Sequence, residues 1–111
     1  MKIMDGNKYQ ELAMRTNRPE ATQEQNLING CLGLSGETGE VNDIVKKYMF
    51  QGHELEKERI LDEAGDCLWY LTLTVKSIGY SLNDAMEHNI EKLKKRYPDG
   101  FEEERSINRA E

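Results

Sequence analysis

From Leu61 to Ile78 the chain carries one unbroken apolar stripe: Leu61, Ala64, Leu68, Leu71, Val75 and Ile78, at steps of three and four. Residues so spaced fall on one face of an α-helix. The run "LWYLTLTV" inside it (68–75) would pass for a strand when read alone. The stripe continues on both sides of that run, so the segment is predicted as helix, with Gly79 as its stop.

A second stripe precedes it: Leu27, Cys31, Leu34, Thr38, Val41, Val45 and Tyr48. It opens behind Thr22, with Gln25 three residues on, the pattern of a capping box. Gly52 can close it. Glycines at 30, 33, 36 and 39 oppose a helix here, each costing about 1 kcal/mol relative to alanine. Two readings stay open, one continuous helix or a break near Ser35; the length of the stripe favours the continuous helix. The glycines at 33, 36 and 39 then mark where a neighbouring helix or a substrate comes close to the backbone.

Shorter segments flank these two. "NKYQELAMRTNR" (7–18) predicts a short helix carrying Tyr9, Leu12 and Ala13. Ser81 is a good N-cap for a further helix, whose inner face is Leu82, Met86, Asn89, Ile90, Leu93 and Tyr97, and which Pro98 and Gly100 end. The expected fold is all-α: a bundle of three substantial helices plus a short N-terminal one, completed by oligomerisation. Residues 1–100 form the expected single domain and 101–111 a mostly exposed tail.

At 111 residues such a domain is small, and small domains often oligomerise. The net charge of −6 weighs against binding a nucleic-acid polymer through a basic surface. A small anionic ligand is compatible with it if a cation mediates. No stretch approaches the roughly 18 apolar residues of a membrane span, and no apolar run follows Met1, so no signal peptide is expected. A cytoplasmic protein without membrane contact is expected. Cys31 and Cys67 fit neither a zinc site nor a disulfide framework and are expected as reduced, half-buried thiols.

The chemistry-bearing feature is a pair of acidic pairs. Glu37 and Glu40 are three apart, and so are Glu63 and Asp66, which puts each pair on one helix face. Both flank apolar residues: Glu37 follows Leu34, Glu40 precedes Ile44, and Glu63 lies between Ile60 and Cys67. A single such pair would read as solvated surface. The segment "QGHELE" turns the chain back, with Glu40 about ten residues before it and Glu63 about ten after. Antiparallel helices would then bring the four carboxylates around one pocket. Partly buried like charges need a compensating cation. All-oxygen anionic ligation suits magnesium, with manganese as the other candidate, and magnesium commonly takes substrate phosphates as further ligands.

The segments "GLSGETGEVNDIVKK", "DEAGDCLWYL" and "HNIEKLKKRYPDGF" resemble the MazG-like nucleotide pyrophosphohydrolases of the all-α NTP pyrophosphatase superfamily, over residues 24 to 102. That family's Glu-Glu-x-x-Glu motif is matched by Gly36-Glu37-Thr38-Gly39-Glu40, with Gly36 in place of the first glutamate. Its Glu-x-x-Asp motif is matched by Glu63-Ala64-Gly65-Asp66. The resemblance implies Mg-dependent hydrolysis of a (deoxy)nucleoside triphosphate to monophosphate and pyrophosphate by a homodimer or homotetramer. Glu37, Glu40, Glu63 and Asp66 are the expected metal ligands, and Glu37 the expected general base. For substrate, the resemblance points to Lys46 or Lys47 on phosphate and to Asn89 on the nucleotide. Lys92 and Arg96, one and two turns beyond Asn89, could reach phosphates or simply compensate the helix dipole.

Trp69 and Tyr70 are expected in core or interface. His53 and His88 do not stand three residues after a pocket glutamate, as a di-iron Glu-x-x-His bundle requires, and are expected at the surface. No phosphate-loop or dinucleotide-loop motif occurs. The alternative to an enzyme is a non-catalytic helical oligomer that binds a nucleotide or a protein partner.

Overall fold

A computed structural model describes residues 3–109. Residues 1, 2, 110 and 111, the ends of the expected domain and tail, lie outside the described residues. The described residues form five helices: α1 (Gly6–Met14), α2 (Gln23–Phe50), α3 (Lys57–Ser77), α4 (Leu82–Arg96) and α5 (Glu103–Ile107). No strand occurs among them, as the helical stripes predict.

The helix ends follow from local chemistry. Asp5 caps α1 by accepting from the Lys8 backbone amide. Thr22 and Gln25 form both halves of a capping box on α2, and Ser81 and Asp84 do the same on α4. These reciprocal bonds satisfy backbone donors that a helix start leaves free. Gly52, at φ 72°, and Gly79, at φ 90°, turn the chain beyond α2 and α3 in a conformation that side-chain-bearing residues avoid. α1 ends at Met14, earlier than the segment 7–18 suggests. Residues 101–109 are exposed and carry the short α5.

α2 is continuous through all four glycines, and α2 and α3 form an antiparallel hairpin. Two of the glycines set its closeness. A Cβ on Gly30 would overlap Thr74 Oγ1 and come within 3.1 Å of the Thr74 backbone nitrogen. A Cβ on Gly33 would overlap the Tyr70 ring. Gly36 and Gly39 meet nothing within 4 Å, so within this chain the close-approach explanation holds for Gly30 and Gly33 and fails for Gly36 and Gly39.

Both long helices are rotated from the faces the apolar stripes suggest. On α3, Glu63, Cys67, Tyr70 and Thr74 share the side toward α2, a direction set by Tyr70 and Thr74 meeting the glycines and Cys67 meeting Thr38. Leu61 and Ile78, from the predicted stripe, are 72% and 55% exposed, too bare to be the hairpin seam. On α2 the buried residues are Gly30 and Ile44, whereas Cys31 and Val45 of the predicted stripe are exposed. Cys31 is thus not the half-buried thiol expected; Cys67 is, and both are free.

α1 is fixed across α3 and α4 by polar bonds. The Trp69 indole donates to Ala13 O (3.1 Å) and to Thr16 Oγ1 (2.9 Å). Gln10 Oε1 accepts from the Leu82 backbone amide at 2.7 Å, adding a tertiary cap to α4. Gly6 is buried against Met86. Trp69 and Tyr70 thus serve packing, as expected, their rings meeting edge-on at 5.1 Å.

Candidate metal centre

The hairpin brings three carboxylates together. One oxygen from each of Glu37, Glu63 and Asp66 lies within 4.8 Å of the other two. Glu37 comes from the middle of α2, and Glu63 and Asp66 from the first half of α3. The neighbouring Gly33–Tyr70 approach holds the two backbones close, so the acids cannot spread apart into water. Glu40 lies one turn beyond Glu37, is exposed, and stands outside this cluster.

Glu63 bears the electrostatic strain. Its Oε2 is fully covered and finds no hydrogen-bond partner. Its carboxyl is held above the ordinary carboxylate range, first by hydrogen bonding to Glu37, then by burial and the negative charge of Glu37, against the opposing pull of Arg59. Without a cation, the nearby Glu37 carboxylate and burial favour the protonated form of Glu63. A divalent cation relieves the strain more fully, because it satisfies the covered oxygen and offsets the converging charges. Hard, all-oxygen donors fit magnesium or manganese. Their spacing is near the ~4 Å that spans a magnesium ion between two ligands.

Beside the cluster, Thr38 Oγ1 donates to Leu34 O (2.8 Å) and lies 3.8 Å from Cys67 Sγ. With the hydroxyl proton committed, the thiol is the available donor, a weak polar link that pins α2 to α3 next to the acids.

The other predicted residues are more scattered. Lys46 and Lys47 both bind Asp43, at 3.3 and 2.9 Å, and hold its carboxyl below the usual range, Lys47 foremost. Asn89 lines a groove between α1, α3 and α4. Lys92 lies with His88 and Glu91 along the exposed side of α4, and Arg96 ends that helix, half-buried. His53 and His88 are exposed, as expected, and neither joins the acidic cluster.

One residue near the site escaped the motif reading. Tyr9 of α1 lines the same groove as Asn89 and lies close enough to Asp66 to feel its charge. Burial first, and Asp66 second, hold its phenol above the ordinary value. In the sequence Tyr9 reads only as part of a short helix's apolar face, and α1 lies outside the resembling segment.

The sequence model of the MazG nucleotide pyrophosphohydrolase domain matches residues 25–101. That span is most of the chain and contains both acidic pairs: the chain belongs to the MazG nucleotide pyrophosphohydrolase domain family. No curated protein and no solved structure gives a significant match. No described helix is long and apolar enough to cross a membrane.

Proposed function

We propose that this protein hydrolyses (deoxy)nucleoside triphosphates to monophosphate and pyrophosphate with magnesium, or manganese, held by the α2–α3 hairpin. The observation that carries the reading is the covered, unpartnered Glu63 Oε2 inside a three-carboxylate cluster. A cation satisfies such a group more fully than a proton does, and a cation in an acidic chain gives a triphosphate a place to bind. The family supports nucleotide pyrophosphohydrolase activity in general.

Glu37, Glu63 and Asp66 would hold the ion, with Glu40 as a fourth carboxylate one turn further along α2. When bound, the ion offsets triphosphate charge and makes water a better nucleophile. Glu37 is the proposed general base, taking the proton of the attacking water. Lys46 and Lys47 on α2, and Lys92 and Arg96 on α4, are the proposed phosphate contacts. Their long side chains lie at the surface and can reorient. Asn89 supplies an amide for the nucleotide.

The active form is proposed to be a homodimer or homotetramer. The accessible surface is 8591 Å², against about 6,300 Å² for a compact monomer of this mass. The radius of gyration is 17.1 Å, against about 13 Å for a compact chain of this length. Leu61, Ile78, Ile90 and Leu93, all exposed, supply an apolar face that a second copy can cover. A cytoplasmic location is proposed with this function.

The test is pyrophosphate release over the common NTPs and dNTPs, with and without magnesium. Magnesium-dependent release is expected. Silence across the panel, with nucleotide binding retained, would leave a non-catalytic binder in its place.

A further inference from the structure

The end of α1, the turn that follows it, the start of α2 and the end of α3 enclose a cleft of about 330 Å³. Three cations line it, Arg15, Arg18 and Lys76, and among the described residues no carboxylate does. In a chain of net charge −6, cations converging without an acid among them favour an anion. The half-buried Asn17 and Asn26 also line the cleft. Asn17 Nδ2 donates to Asn26 Oδ1 at 3.1 Å. That bond uses an acceptor of Asn26 and leaves its Nδ2 hydrogens for another partner.

The cations are not fully used by the protein. Arg15 holds Glu11 at 3.1 Å and Arg18 holds Glu20 at 2.9 Å, both pairs at the surface. Such pairs are weak, and a phosphate competes well for a guanidinium fork. Lys76 forms no ion pair among the described residues. The cleft also lies apart from the acids. Lys76 follows Asp66 on α3 by ~15 Å of helix.

We propose that this cleft binds a small phosphate-bearing anion, with Arg15, Arg18 and Lys76 on the phosphate oxygens and Asn26 donating beside them. Charge-assisted bonds from two guanidinium groups and an ammonium match the acceptor-only surface of a phosphate. The acidic chain around the cleft disfavours a nucleic-acid polymer, so the ligand is a small molecule.

The test is isothermal titration calorimetry of the full chain, with chelator present and ionic strength fixed. Inorganic phosphate, pyrophosphate and a nucleoside 5′-monophosphate are the titrants. The chelator removes any cation through which Glu37, Glu63 and Asp66 could hold an anion. Saturable binding of at least one titrant is expected, and the tightest identifies the source of the phosphate. Lys76→Gln and Arg18→Gln should each weaken it about tenfold. Lys94→Gln removes the same charge from α4, outside the cleft, and should leave binding unchanged. All three positions are exposed, and far-ultraviolet circular dichroism checks that each variant folds. Trp69, the single tryptophan, gives a second readout. Its indole donates to Ala13 O and Thr16 Oγ1, beside the residues that line the cleft, so filling the cleft should change its emission.

No binding of any titrant in chelator overturns the proposal. An equal loss in Lys94→Gln also overturns it, because net charge would then explain the effect. The pyrophosphohydrolase reading fails or stands separately, since the cleft shares no residue with the acidic cluster.

Discussion

The two long faces of α3 have opposite fates. The face toward α2 carries Glu63, Cys67, Tyr70 and Thr74, and glycines on α2 let it approach closely. The face bearing Leu61, Leu68, Leu71 and Ile78 is more apolar, yet it is only partly covered in the single chain, Leu61 and Ile78 least of all. Hydrophobicity alone would have paired the second face first. The hairpin instead forms where backbones can come near, and it spends that closeness on three carboxylates. The bare face is what remains for another chain to cover. On the proposed reading, one side of the helix serves the chemistry and the other the assembly.

The comparison breaks most visibly at the acids. Glu63→Gln should lower turnover by on the order of 10²–10³-fold with helix content intact, as read by pyrophosphate release and far-ultraviolet circular dichroism. Wild-type activity in this variant would show that the tight face is not the working one.

A gentler cut separates the glycines of α2. Gly30→Ala should destabilise by about 1–3 kcal/mol, because the new methyl overlaps Thr74. Gly36→Ala points into open space and should stabilise by up to about 1 kcal/mol. Urea unfolding midpoints compare the two, and equal shifts would mean that the hairpin is not as close as described.

On the bare face, Leu61→Lys should leave the hairpin folded and shift the particle toward the mass of one chain. Light scattering after size-exclusion chromatography reads this. A wild type already monomeric at working concentration would remove the second half of the comparison.

The smallest effect is in pH. The Glu63 carboxyl is raised in the folded chain, so the folded state holds its proton more tightly than the unfolded one. Metal-free stability should therefore fall as pH rises from the ordinary glutamate value, about 4.3, through the raised one. Added magnesium should stabilise more above that window than below it. Thermal melts with chelator and with magnesium check both signs.

Much of this was legible in the residues. The capping boxes at Thr22 and Ser81, the continuity of α2 and the return of α3 along α2 that brings the acids together are local or simply geometric. The register of the stripes was not. Periodicity shows that α3 has an apolar face, but it does not say whether the same chain or another covers it. The resemblance read Glu37, Glu40, Glu63 and Asp66 alike, whereas only three of them converge in the folded chain, a difference set by side-chain direction and not by spacing. The nearness of Tyr9 to Asp66 was invisible because it exists only after α1 folds across α3.

The account stands on a divalent ion at Glu37, Glu63 and Asp66. Manganese titration followed by electron paramagnetic resonance tests this directly, on wild type and on the Glu37→Gln, Glu63→Gln double variant. Saturable binding by wild type and its loss in the double variant is the predicted result. Equal binding by both proteins, or none by either in the presence of a nucleotide, would contradict it.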